Sequence, residues 1–134
     1  MFAAAFQPDR GLDISLIALE SNFRISTTIP VINQPITNFR APTPSVGTVV
    51  RAATTLTPPG QATGIITNQS ASAWMDVRIL GITVEFNRLI ATTVNVWPGD
   101  SGAALFHNQS VIGVLVGGNP SQITRFFSPV TEYS

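Results

Sequence analysis

The residues most able to do chemistry sit in the run Pro98-Gly99-Asp100-Ser101-Gly102-Ala103-Ala104-Leu105-Phe106, where a serine stands among glycines at the entrance to an apolar stretch. Glycines allow a tight backbone turn that exposes the hydroxyl and aims amide N–H groups at one point. Two such donors can hold the oxyanion formed when a serine attacks a carbonyl, an effect of about 3–4 kcal/mol per donor. Alone, a Gly-Asp-Ser-Gly string is equally at home in an ordinary turn. A nucleophilic serine also needs a base within hydrogen-bond reach, and a third group that orients the base. Bases are scarce here, because the chain has one histidine, His107, and its seven basic residues are all arginine. His107 follows the serine by six residues, at the far end of the apolar stretch, and reads as a surface-loop residue pointing away from the hydroxyl. Without lysine, a serine–lysine pair is excluded too.

The elements that must position this serine read as strands. Ten glycines and ten prolines punctuate short runs rich in valine, isoleucine and threonine, the pattern of an antiparallel all-β protein. Strands are predicted over residues 14–20, 46–54, 62–68, 75–85 with a break near Gly81, 88–94, 102–107, 111–117 and 123–129. Thr57-Pro58-Pro59-Gly60 is a strong turn, and His107-Asn108-Gln109-Ser110 joins two apolar runs as a short hairpin. Residues 27–45 are proline-rich, carry polar spacers and show no sustained alternation, so they read as an extended linker. The six or so strands after that linker suffice to close a small barrel.

The order of parts in the serine region carries a resemblance. Gly99-Asp100-Ser101-Gly102, a strand, a hairpin, then Val111-Ile112-Gly113-Val114-Leu115-Val116-Gly117-Gly118 resembles the nucleophile region of trypsin- and chymotrypsin-like serine proteases. Ala103 and Ala104 stand where that family usually has a third glycine and a proline, a mild departure. The resemblance implies that Ser101 is the nucleophile and that the Gly99 and Ser101 amides form the oxyanion hole. It also implies that Asn95 floors the primary substrate pocket and that Gly117 and Gly118 line its wall. That pocket reads as neutral, since Asn95 offers amide groups and no charge. Gly11-Leu12-Asp13-Ile14-Ser15-Leu16-Ile17-Ala18-Leu19 resembles the family's aspartate segment, which makes Asp13, 88 residues before the serine, the acid that orients the base. The family's histidine lies well upstream of that acid, whereas only twelve residues precede Asp13 here and none is histidine.

The implied architecture is therefore an antiparallel Greek-key barrel, the second barrel of the chymotrypsin-like double β-barrel, plus the last strand of the first. Residues 1–26 would be the first-barrel remnant, 27–45 the inter-barrel linker, and 46–134 the carboxyl-terminal barrel with the serine motif. The expected function is a serine endopeptidase working by acyl transfer through Ser101, truncated here and inactive alone for lack of its base. The rival is a protease-like binding or structural module without catalysis. An unpartnered strand over residues 12–19 would expose apolar surface and an open edge, inviting a second copy or an upstream fragment.

Composition trims the other classes. A net charge of +0 gives no electrostatic case for nucleic acid or an anionic membrane. The absence of cysteine removes disulfides, thiol nucleophiles and thiolate metal sites. One histidine and seven scattered carboxylates form no metal cluster, and Val116-Gly117-Gly118-Asn119-Pro120 ends a strand where a phosphate loop would open a helix. No cofactor is expected. MFAAAF lacks a basic leading region and makes a poor signal peptide, and no run approaches the roughly 20 apolar residues of a membrane helix, so the chain reads as soluble. Trp74 and Trp97 are expected to be packing residues, Trp97 drawing interest because it lies four residues before the serine.

Overall fold

A computed structural model of the chain describes residues 2–22, 26, 28–29, 34–54, 61–77, 80–96, 100–118 and 123–132. Among the described residues there are ten strands: β1 (Phe2–Gln7), β2 (Leu12–Ile17), β3 (Thr28–Ile29), β4 (Gln34–Pro35), β5 (Val49–Ala53), β6 (Gln61–Val77), β7 (Ile82–Thr92), β8 (Ala104–His107), β9 (Ser110–Gly118) and β10 (Arg125–Pro129). Six of them close a barrel in the order β10-β7-β6-β5-β8-β9, every pairing antiparallel. Among the described residues, no helix is long and apolar enough to cross a membrane.

The barrel forms because alternation along its strands sends one row of side chains inward. In β5, Val50 and Ala52 are buried between the exposed Val49 and the half-buried Arg51 and Ala53. With Ile66, Ile90, Val94, Val96, Leu105, Ile112, Leu115 and Phe127 they make one continuous apolar core. The predicted hairpin after β8 is present. His107 pairs with Ser110, and Asn108 takes φ 55° in the two-residue loop, a conformation asparagine tolerates better than most residues.

Several sequence expectations need correction. The predicted strands 62–68 and 75–85 are wrongly divided, because β6 runs on through Val77 and the break near Gly81 is the hairpin turn, with φ 66° at that glycine. The polar run between them looked like a loop because its side chains can bond to nearby backbone. In the structure that bonding occurs within the ladder: Asn68 Oδ1 accepts from the Ser70 amide at 2.9 Å, where the β6–β7 register shifts. Trp74 is 68% exposed and is not a packing residue, since its register partner is the exposed Glu85 on the outer face of this hairpin. Trp97 and the turn Thr57-Pro58-Pro59-Gly60 lie outside the described residues.

The amino-terminal segment also differs. The strand expected over residues 14–20 runs instead from Leu12 to Ile17, and it is not left without a partner. β1 pairs with it antiparallel from Phe2↔Ile17 to Gln7↔Leu12, so one of its edges is covered by the chain itself. The resulting two-stranded sheet docks on the barrel through its turn. Gly11 is buried at φ 69°, where an added Cβ would lie 2.6 Å from the Asn87 carbonyl oxygen. The Gly11 carbonyl accepts a hydrogen bond from the buried Ser128 hydroxyl of β10, and Phe6 meets Phe86 of β7 edge-on at 5.8 Å. The second half of the expected linker is likewise part of the fold. Ile36 is buried against Phe106, and the Val111 amide donates to the Asn38 carbonyl at 2.8 Å.

Candidate active site

Ser101 stands exposed in a β-turn closed by the Ala103 amide donating to the Asp100 carbonyl at 2.9 Å. Gly102 holds φ 90° at the third position of that turn, which a type II turn reserves for glycine. A Cβ there would meet nothing within 4 Å, so the requirement comes from the backbone alone. The turn is stitched to β9 on its far side. The Gly102 amide donates to the Leu115 carbonyl at 3.0 Å, and the Leu115 amide donates to the Ala103 carbonyl at 2.9 Å. Asp100 is buried and engaged by the surrounding fold, which anchors the turn from within. A serine hydroxyl is thus presented to solvent on a backbone pinned at both ends.

The other residues singled out in the sequence fall as follows. Asn95 is exposed between the buried Val94 and Val96, on the segment that leads from β7 toward the serine. That segment is fixed by the Thr93 amide donating to the Ile65 carbonyl at 3.1 Å and by the Ile65 amide donating to Thr93 Oγ1 at 3.0 Å. Gly117 and Gly118 end β9, opposite Phe126 and Arg125 of β10. Gly99 lies outside the described residues, so the structure gives only the Ser101 half of the expected oxyanion pair. Asp13 lies on β2 opposite Phe6, and its side chain is not described. Through the Gly11–Ser128 bond, that hairpin is held by β10, the neighbour of the strand that stitches the serine turn.

His107 belongs elsewhere. It closes β8 at the hairpin end, whereas the serine turn precedes the start of that strand, about 13 Å of extended chain away. Its Nδ1 contacts the Val49 carbonyl at 3.2 Å and its Nε2 contacts the Asn108 amide nitrogen at 3.3 Å. With the Asn108 amide donating, Nε2 is the acceptor and Nδ1 carries the proton to Val49, so both ring nitrogens are in use. The histidine is a local brace.

One residue of the site escaped the sequence reading. Arg125 is half-buried, and its Nε donates to the Val96 carbonyl at 2.9 Å while a terminal nitrogen donates to the Thr124 carbonyl at 3.1 Å. Its side chain crosses Gly118 so closely that a Cβ on that glycine would lie 2.5 Å from the arginine Cδ. The Arg125 side chain therefore lies between the end of β9 and the Asn95–Val96 segment. Only a glycine opposite Arg125 leaves room for this path, a cue visible only once the β9–β10 register is known.

A family model described as Trypsin matches residues 1–134. The chain belongs to the trypsin family. Streptogrisin-D of Streptomyces griseus is 42% identical over 66 residues, a match covering 42% of this chain and 17% of that protein. The crystal structure of Cellulomonas bogoriensis chymotrypsin superposes with a TM-score of 0.73 at 26% identity, covering 98% of this chain and 68% of that one. Thermobifida fusca protease A shares the fold with a TM-score of 0.73 at 22% identity, covering 98% of this chain and 67% of that one. This trypsin-family chain thus spans about two thirds of those solved chains and under a fifth of streptogrisin-D.

Proposed function

We propose that this trypsin-family chain carries the nucleophile-bearing part of a serine endopeptidase. The observation that carries the reading is Ser101, exposed on a glycine turn that β9 and the buried Asp100 hold rigid. In the working enzyme Ser101 Oγ attacks the scissile carbonyl, the Gly99 and Ser101 amides stabilise the oxyanion, and Asp13 orients a histidine base. That histidine is supplied from outside these 134 residues, because His107 is committed at the wrong end of β8. The chain alone is therefore inactive. The β1–β2 hairpin, a sheet separate from the barrel, is the surface on which an upstream fragment or a second copy adds its strands.

The committed state of His107 also favours a second reading, a non-catalytic module that keeps the protease barrel for binding. Labelling of Ser101 by a fluorophosphonate, with and without exogenous imidazole as a substitute base, separates the two. The endopeptidase reading expects labelling that rises with imidazole and disappears in Ser101→Ala. A folded chain that stays unlabelled at saturating imidazole would count against the endopeptidase reading and in favour of the binding module.

A further inference from the structure

Two exposed surfaces of this chain complement one another. The first is the outer face of the β6–β7 hairpin. Trp74 and Asp76 lie two apart on β6, opposite Glu85 and Thr83 of β7, so the four share one face, and all are exposed. The indole alone is 68% exposed. The face is held in shape by cross-strand bonds: the Thr83 hydroxyl donates to Asp76 Oδ1 at 2.8 Å, and the Ser72 hydroxyl donates to Asn87 Oδ1 at 2.7 Å. Residues 72–77 and 80–87 contain two carboxylates and no basic side chain. An indole with carboxylates on either side of it is suited to a cation, which the ring attracts through its face and the acids through their charge.

The second surface is a knuckle at Phe39 and Arg40. The chain bends there between two anchors on β9, the Val111 amide donating to the Asn38 carbonyl at 2.8 Å and the Ala41 amide donating to the Val111 carbonyl at 3.3 Å. The Arg40 amide donates to Asn38 Oδ1 at 3.0 Å, which fixes the bend a third time. Between these anchors Phe39 is 55% exposed and Arg40 is exposed as well.

We propose that the Trp74 face receives the Phe39–Arg40 knuckle of a second copy of this chain. The match is one of opposite charge and of exposed aromatic surface on both sides. A guanidinium stacks on an indole and pairs with a carboxylate at once, which is the task the face sets. Both halves are braced before they meet, so little ordering cost opposes a small contact. A net charge of +0 raises no long-range repulsion between copies. The two halves are different surfaces, so the contact is heterologous and each chain offers both. It is separate from the β1–β2 edge and independent of the reading of Ser101.

The test is sedimentation equilibrium on the parent chain and its variants, up to about 1 mM, a range that captures weak association. The parent should self-associate reversibly, and less at high salt. Trp74→Ser spoils the face and keeps the knuckle, whereas Arg40→Gln does the reverse. Each alone should weaken self-association about tenfold or more, with urea titration showing that both variants are folded. Mixed together, they should form one-to-one pairs, because one intact face then meets one intact knuckle. Glu85→Arg should also weaken the contact, and adding Arg40→Glu in the same chain should restore it. A parent that stays monomeric at about 1 mM would overturn the proposal. So would a mixture of the two variants that stays monomeric. Self-association that survives both Trp74→Ser and Arg40→Gln would overturn it too, and would return the partner surface to the β1–β2 edge.

Discussion

Replacing Gly11 with alanine tests how the Asp13-bearing hairpin is held, and Gly81 supplies the control. The two glycines share nearly one conformation, φ 69° and φ 66°. For an L-residue that region costs about 1–2 kcal/mol. They differ in surroundings: a Cβ at Gly81 meets nothing within 4 Å, whereas one at Gly11 lies 2.6 Å from the Asn87 carbonyl and 3.2 Å from Leu89 Cδ2. The Asn87 oxygen is backbone, so relief requires the whole turn to lift from β7, adding about 1–3 kcal/mol as overpacking does. Gly81→Ala should therefore lose about 1–2 kcal/mol and Gly11→Ala about 2–5 kcal/mol. Urea titrations followed by circular dichroism give the two values. Hydrogen exchange should show the extra loss in Gly11→Ala concentrated in β1 and β2, with barrel amides still protected. Equal losses for both variants, or uniform loss of protection through the barrel, would refute the docking described for this turn.

Other outcomes follow from the same packing. Ser128→Ala removes the buried donor to the Gly11 carbonyl and should cost about 1–3 kcal/mol, read as earlier urea unfolding with the same hairpin-first exchange pattern. Phe127→Ala, fully buried at the centre of the core, should cost about 3–5 kcal/mol by the same titration. Gly102→Ala should lose about 1–2 kcal/mol from backbone strain alone and slow any imidazole-dependent labelling of Ser101, because the turn presenting the hydroxyl must distort. Trp74→Ser should leave the urea midpoint within about 0.5 kcal/mol of the parent, as suits an exposed residue.

The barrel was legible where short apolar runs rich in valine, isoleucine and threonine meet local turn chemistry. Residues 46–54 read as a strand on that composition, and the Asn108 hairpin was readable from four residues. The serine turn was legible for the same reason, since Gly102 declares its own backbone requirement. What escaped depended on partners distant in sequence. β1 is built largely of alanine, a weak strand former, and owes its state to six register pairs with β2. The polar middle of β6 stays in the sheet through its pairing with β7, which no single segment announces. Arg125 reads as an ordinary solvated charge until the β9–β10 register sets it over Gly118. Asp13 is assigned a role by likeness alone, and the structure contributes the placing of its strand.

The packing of Ile36, Asn38 and Ala41 along the β8–β9 hairpin changes where this chain can be divided. The Ala41 amide donates to the Val111 carbonyl at 3.3 Å and its side chain joins the main core, while Ile36 covers Phe106 from outside the barrel. A cut just before Val46, where composition alone draws the border, would strip a wedge from the barrel and expose Phe106 beside the brace at His107. A cut ahead of Gln34 leaves that wedge in place, so the barrel that carries the serine includes part of what looks like a tether.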